Sequence, residues 1–449
     1  MTVQPDYDAF LAAKLARPIG VGLANVDTLP PALKPFQRDI VTWALRRGKA
    51  AVFAGTGLGK TLMELSWADA VFRQTGKPVL SFAPLAVAHQ SVAEASKFSI
   101  RSVMYAAAQN EARVAKPITN YDRLDNFNPE DFGGVVLDES SIIKAHDSKT
   151  RARLMAKCDG VPFKLACTAT PAPNDYVELG NHAEFLDVLT EKEMLATWFV
   201  HDGSMKAKNV ANHDSKPVAE WRLKGHAEQE FWTWLSTWAV MLRHPRELGY
   251  DEPGYDLPTL HQEQIIVPSD LPLARTLVER RRAQRASLED RVRAAAALVN
   301  ANPDRPWLVW CNLNDESTML AELIADAIEV RGSDKPSVKE ARLMGFADGS
   351  GARVLVSKPS ICGFGMNFQR CADMVFVGLN DSFESLYQAI RRCWRFGQLR
   401  EVHAFMIASQ AEGNVVANLA EKEAAADRMY AELSKHTATL MTRTLHDQR

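Results

Sequence analysis

Residues 54–61 read A-G-T-G-L-G-K-T, and no other stretch of this 449-residue chain restricts its fold as much. A short apolar run, 50–53, precedes them and a helical pattern, 62–72, follows. Strand, glycine-rich turn and helix in that order make a phosphate-binding loop. Gly55, Gly57 and Gly59 let the backbone curl so that its N–H groups converge on an anion, with Thr56 and Leu58 between them. The start of the helix adds its positive dipole end. Lys60 is then placed to reach the β- and γ-phosphates of a nucleotide, and the Thr61 hydroxyl to ligate Mg²⁺. Ala54 departs from the general pattern, which has its first Gly there.

Such a loop needs a sheet around it, and the length allows more than one. A chain this long exceeds one ordinary core and suggests two or three domains. Hydrophobic residues at 46% and charged residues at 24% are an ordinary soluble composition. No apolar run reaches membrane-spanning length and 1–18 carries no signal pattern, so a cytoplasmic protein without membrane contact is expected. The six cysteines form no C-x-x-C pair and read as reduced core thiols rather than metal ligands or disulfides. A formal net charge of −2 neither requires nor forbids a nucleic-acid partner, since a local groove can grip a phosphate backbone.

Residues 34–47 place Phe36, Ile40, Val41, Trp43, Ala44 and Leu45 at helical spacing, with Gly48 as a C-cap. After the loop, apolar runs recur at 79–83, 135–137 and 163–167 with helical stretches between them. That alternation implies a parallel sheet covered on both faces. From about 190 to 260 the rhythm changes. A polar stretch, 201–216, is followed by 228–242, whose Phe231, Trp232, Trp234, Leu235 and Trp238 read as a helix packing an aromatic face into a core. Residues 249–258 read as a linker. A second alternating section follows, with a long helical pattern at 275–299 and strand-like runs at 307–311, 353–357, 374–378 and 402–407. Within 279–293 six arginines stand against three acids and read as a solvated helix face.

Several motifs carry chemistry. Residues 135–141, V-V-L-D-E-S-S, are an apolar strand ending in two acids. Where the chain turns, Asp138 can face Mg²⁺ while Glu139 reaches a water in line with a γ-phosphate. Residues 164–171, K-L-A-C-T-A-T-P, end a buried strand in Thr168 and Thr170, which could bridge the acids to whatever holds the substrate. In the second half, 388–398, Q-A-I-R-R-C-W-R-F-G-Q, carries Arg392 and Arg395 three apart, on one face if helical. Guanidiniums so placed serve as arginine fingers or as a phosphate-backbone patch. Upstream, G-F-G-M-N-F-Q at 363–369 is a glycine turn after a strand.

Taken in order, Gln37 in F-Q-R, A-G-T-G-L-G-K-T, D-E-S-S, T-A-T-P, G-F-G-M-N-F-Q and Q-A-I-R-R-C-W-R-F-G-Q resemble the motifs of superfamily 2 helicases and translocases. A-P-L-A-V-A-H-Q at 83–90, I-T-N-Y-D-R-L at 118–124, N-D-Y-V-E-L at 174–179 and L-R-H-P at 242–245 resemble the Swi/Snf-like branch. The short form, with R-R-C-W-R-F-G-Q, resembles helicases encoded in bacteriophage and prophage genomes. Arg391 stands where that family has Gly, and Trp394 where it has His.

The resemblance implies an α/β fold of two RecA-like lobes with a small helical insertion and ATP between the lobes. It implies a lead at 1–32, a first lobe at 33–189, an insertion and linker at 190–260, a second lobe at 261–410 and a helical tail at 411–449. Gln37 would read the adenine, Lys60 and Glu139 would serve hydrolysis, and Thr61 and Asp138 would hold Mg²⁺. Arg392 and Arg395 would be fingers. Thr119, Tyr121, Thr168, Thr170, Gly363, Gly365 and Asn367 would touch the nucleic-acid backbone or couple to it. The implied activity is an ATP-dependent DNA helicase or translocase, on duplex rather than single strands, in the cytoplasm of a bacterial or phage-infected cell. Its partners would come from phage replication, recombination or packaging. An RNA helicase, and an ATP-gated clamp or scaffold without motor activity, are the alternatives.

Overall fold

The structure, a computed structural model, describes residues 22–446 apart from 27, 145–147, 207–217, 275, 362–365, 380, 381 and 413. Gly363, Gly365 and most of the polar 201–216 stretch therefore lie outside the described residues. One compact unit takes its described residues from Met1–Asp202, Trp221–Glu252 and Arg428–Arg449, the other from Gly203–Glu220 and Pro253–Asp427.

The first unit holds a seven-stranded sheet. Its strands are β1 (Lys49–Ala54), β2 (Val79–Ala83), β3 (Val103–Tyr105), β4 (Lys116–Asn120), β5 (Gly134–Asp138) and β6 (Phe163–Thr168). β7 (Phe199–Lys206) and β8 (Val218–Leu223) form a separate ribbon, and β9 (Ala239–Leu242) returns to the sheet. The order is β3-β4-β2-β5-β6-β1-β9, with every pairing parallel. Strands buried on both faces read as continuous apolar runs, which is why V-L-S-F-A and F-K-L-A-C-T are strands here. The helix Pro35–Arg47 starts with Pro at its first position and stops at Gly48, whose φ of 74° only glycine adopts readily.

The aromatic stretch differs from a single helix. Glu228–Ser236 is helical, but the chain then turns and Ala239–Leu242 pairs with β1. Phe231, Trp232, Trp234 and Trp238 are buried in the core against Trp198, with Trp198 and Trp234 stacked at 4.5 Å. Met429, Tyr430 and Leu433, from the long helix Asn414–His446, join that core.

In the second unit, β10 (Leu260–Val267), β11 (Trp307–Cys311), β12 (Ala327–Val330), β13 (Val354–Ser357), β14 (Asp373–Val377) and β15 (Val402–Ser409) form a parallel sheet. Its order is β10-β15-β14-β11-β13-β12. One cluster under the sheet includes Phe346 and Phe368 with Val415 and Leu419, another Val292 and Val299. Each sheet with its covering helices is a RecA-like lobe.

The arginine-rich pattern is two helices, Leu277–Ala286 and Leu288–Asn300, joined at Ser287. Arg281, Arg282 and Arg285 are exposed as the run implies, but Arg291 is fully buried. Its guanidinium donates to Glu316 at 2.8 Å and to the Gln284 carbonyl at 2.6 Å, with Glu412 at 3.8 Å. Removing one partner of such a buried pair costs about 3–5 kcal/mol. Arg291 is thus structural. Five cysteines, 158, 167, 311, 371 and 393, are free and buried, and Cys362 lies outside the described residues.

Candidate nucleotide site

β6 lies between β1 and β5, so the glycine loop leaving β1 and the acids ending β5 flank the Thr168–Thr170 turn. Register makes this specific: Phe53 pairs with Thr168, and Asp138 with Cys167. In parallel sheets the carboxyl ends of strands build ligand sites. Here three adjacent strands deliver their motifs to one such end.

The loop residues Gly55, Thr56, Gly57, Leu58 and Gly59 lead into the helix Lys60–Thr75, with Gly57 at φ 92° and Gly59 at φ 80°. A Cβ at Gly59 would stand 2.4 Å from the Gln37 amide nitrogen. That amide donates to the Leu58 carbonyl at 2.8 Å, and its oxygen accepts from Lys34 N–H at 2.9 Å. Gln37, to which the resemblance assigns the adenine, is buried against the glycine loop and braces it. Lys60 Nζ donates to the Ala54 carbonyl at 3.0 Å. Thr61 follows it in the first turn of the same helix.

Asp138 ends β5 and is only 6% exposed. Burial, then the Glu139 charge, push its carboxyl up to about 7, while Lys60 and the Glu139 N–H pull it down. Glu139 takes the left-handed conformation at φ 53°, unusual for a residue other than glycine. That kink turns the chain out of the strand, and Glu139 Oε2 accepts from Thr168 Oγ1 at 3.2 Å. Thr168 Oγ1 also accepts from Thr170 N–H at 3.2 Å. Thr168 thus links Glu139 to the Thr170 main chain within this unit.

Thr119 and Tyr121 are buried. The Tyr121 hydroxyl donates to the Asp138 carbonyl at 2.6 Å. Both side chains are thus turned into the fold and away from the surface.

Sequence reasoning missed Glu64. It lies one turn after Lys60, is 6% exposed, and accepts from the Cys167 thiol. Its Oε1 has no hydrogen-bond partner among the described residues. Burial first and the Asp138 charge second hold its carboxyl well above the usual range. An acid four residues after the loop lysine, inside an apolar helix face, was the available signal. His182 was missed too. It is buried, its Nε2 is 3.1 Å from Ser140 Oγ, and burial lowers its pKa to about 4.

Glu64 on the helix and Asp138 and Glu139 at the end of β5 set three carboxyl groups against the cation Lys60. The oxygen donors of Thr61 and Asp138 suit Mg²⁺, and the orphaned Glu64 Oε1 fits a site completed by a cation.

In the second unit the helix carrying the arginine motif ends at Ile390, so Arg392 and Arg395 do not share a helix face. They converge by another route: each Nη1 approaches the Met366 carbonyl, at 3.5 and 3.4 Å. The Arg391 guanidinium lies over the Trp394 ring at 4.2 Å, and Trp394 Nε1–H donates to the Pro258 carbonyl at 2.7 Å. The two departures from the family pattern therefore pack on each other. Gln398, unflagged by sequence, organises the loop. Buried, it donates to the carbonyls of Gln369, Cys371 and Cys393 and accepts from the N–H groups of Leu399 and Arg400. Asn367 is exposed, and its Oδ1 accepts from Gln369 N–H at 3.1 Å.

Among solved structures, the chain is similar to the Sulfolobus solfataricus SWI2/SNF2 ATPase core in complex with dsDNA. The alignment covers 96% of this chain and 98% of that one at 15% identity and a TM-score of 0.43. No protein-family model matches the chain, and no curated protein matches it. Among the described residues, no helix is long and apolar enough to cross a membrane.

Proposed function

We propose that this chain is an ATP- and Mg²⁺-dependent motor acting on DNA, on duplex in preference to single strands. The observation that carries the reading is the convergence of Lys60, Asp138, Glu139 and Thr168 at the carboxyl ends of β1, β5 and β6. In this reading the 55–59 loop and Lys60 bind the phosphates, and Thr61 and Asp138 hold Mg²⁺, which neutralises phosphate charge when bound. Glu139 takes the proton of the attacking water, oriented by the Thr168 hydroxyl. Thr168 and Tyr121 relay the state of the acids to the strand-end turns around them. Arg392 and Arg395 are assigned the finger role from motif position.

Two features support DNA movement without strand separation. The Swi/Snf-like pieces at 83–90, 118–124 and 174–179 accompany duplex tracking in the family they resemble. The 201–216 stretch, the candidate for a strand-splitting pin, contains no Phe, Tyr or Trp to stack on a base. Steady-state ATPase measured with duplex, single-stranded DNA and RNA tests the reading, run beside strand-displacement and triplex-stripping assays. Duplex stimulation with triplex stripping supports it. Stimulation by RNA alone, or turnover without either movement, refutes it.

A further inference from the structure

The edge of the second sheet carries a cluster that nucleotide chemistry does not use. β10 and β15 pair in parallel with His261 opposite His403. The two imidazoles stack at 4.7 Å between centroids and 14° between planes. Glu401, just before β15, places Oε2 3.1 Å from His261 Nε2. One donor atom from each of His261, Glu401 and His403 lies within 4.8 Å of the others, the only such group among the described residues. Glu263, two residues along β10 from His261, has its carboxylate 3.9 Å from His403 Nδ1. The rings are half-buried and Glu401 is exposed.

We propose that His261, Glu401 and His403 form a transition-metal site that takes Zn²⁺. Two imidazoles and one carboxylate match the donors of open zinc sites, which leave a position for water or another ligand. Mg²⁺ and Ca²⁺ prefer all-oxygen sets, so the imidazoles select against them. Bonds of 2.0–2.2 Å to a tetrahedral ion put neighbouring donors about 3.3 Å apart. The His261–Glu401 pair already has that spacing, and the donor atom of His403 lies within 4.8 Å of both. Glu263 is placed to orient His403, as carboxylates orient metal-bound imidazoles. Both rings stand on paired strands, which hold donors more firmly than loops do.

The position gives the ion something to do. β10 begins two residues after Pro258, whose carbonyl accepts from Trp394, and β15 begins four residues after Gln398. Val402 N–H donates to the Thr259 carbonyl at 2.9 Å where the two strands begin. An ion there ties the edge strand to its neighbour at the base of the arginine loop.

The test uses the full chain, stripped with chelator and returned to excess Mg²⁺ so that hard oxygen sites are filled. Zn²⁺ is titrated against a chromophoric chelator, and Co²⁺ is followed by its visible d–d bands. One ion per chain is expected, with d–d bands of low coordination number and no thiolate charge-transfer band. His261→Gln and His403→Gln should each weaken Zn²⁺ binding at least tenfold, and Glu263→Gln about tenfold as an orienting group. Zn²⁺ should raise the melting temperature of the wild type and not of His261→Gln/His403→Gln. No Zn²⁺ bound by the wild type, equal binding by that double variant, or a cobalt–thiolate band would overturn the proposal.

Discussion

Thr168 Oγ1 donates to Glu139 Oε2 at 3.2 Å, tying the end of β6 to the acid that follows β5. The bond crosses two strands that pair in register through Asp138 and Cys167, so its geometry is set by the sheet and not by loop chance. Thr168→Val keeps shape and removes the donor. On the proposed function the bond orients a base and binds no phosphate, so ATP turnover should fall about tenfold or more with little change in KM for ATP. Glu139→Gln should bind ATP and stop turnover. Wild-type kcat in Thr168→Val would show that the bond carries no catalytic orientation.

Asp138 supplies a prediction about stability. Its ordinary value is 3.8 and burial raises it to about 7 in the folded chain. Between those values the folded state binds the extra proton, so stability drops as pH rises from about 4 to about 7. Asp138→Asn removes the ionisation. In the absence of Mg²⁺ and nucleotide, its melting temperature should exceed the wild type's by a margin that grows from pH 5 to pH 8. The margin should grow by on the order of 3 kcal/mol over that range. His182, whose lowered pKa makes folding less favourable as pH falls below about 6.5, is common to both proteins and drops out of the difference. A margin independent of pH would mean that Asp138 ionises in the fold as freely as in water.

Much of the architecture is legible in the residues because both sheets are parallel and buried. Runs such as Val79–Ala83 and Trp307–Cys311 read as strands with correct limits. β10 was hidden because an edge strand, L-H-Q-E-Q-I-I-V, is half polar. β9 was hidden because four residues after an aromatic helix look like its continuation. In the site, glycine spacing and the paired acids announce themselves locally. The Tyr121 hydroxyl on the Asp138 carbonyl and Gln398 on three carbonyls do not, since main-chain acceptors leave no trace in side-chain pattern. The helical spacing of Arg392 and Arg395 misled, because the helix ends two residues before the first of them.

The convergence of Arg392 and Arg395 on the Met366 carbonyl makes their roles separable by kinetics. A finger acts on charge that develops in the transition state, so its loss lowers kcat and spares affinity. Arg395→Ala should cut DNA-stimulated kcat by about 10³-fold, within the range of arginine fingers, with ATP affinity nearly unchanged. Arg392→Ala should do the same if both guanidiniums serve. Arg391→Ala removes the stack on Trp394 and should cost stability, not chemistry, by about 1 kcal/mol. Lost nucleotide affinity with normal kcat in Arg395→Ala would place that residue in ground-state binding instead.

The last prediction concerns the substrate. In the arginine-rich run, Arg291 is inside the fold and Arg293 pairs with Glu289 at 2.6 Å. The exposed cations left on the helix Leu277–Ala286 include Arg281, Arg282 and Arg285, with Arg285 four residues after Arg281 and three after Arg282, so that it neighbours both on the helix surface. Three neighbouring guanidiniums suit successive phosphates of one strand. Duplex DNA should therefore stimulate ATPase more than single strands do, and the apparent affinity for duplex should fall steeply with salt. Replacing Arg281, Arg282 and Arg285 with Gln should flatten the log–log salt slope by about 3, close to one counterion per lost contact. Basal ATPase without DNA should not change, since none of the three belongs to the nucleotide site. An unchanged slope would return these arginines to a solvated helix face, and stronger stimulation by single strands than by blunt duplex would make the chain a strand-displacing helicase.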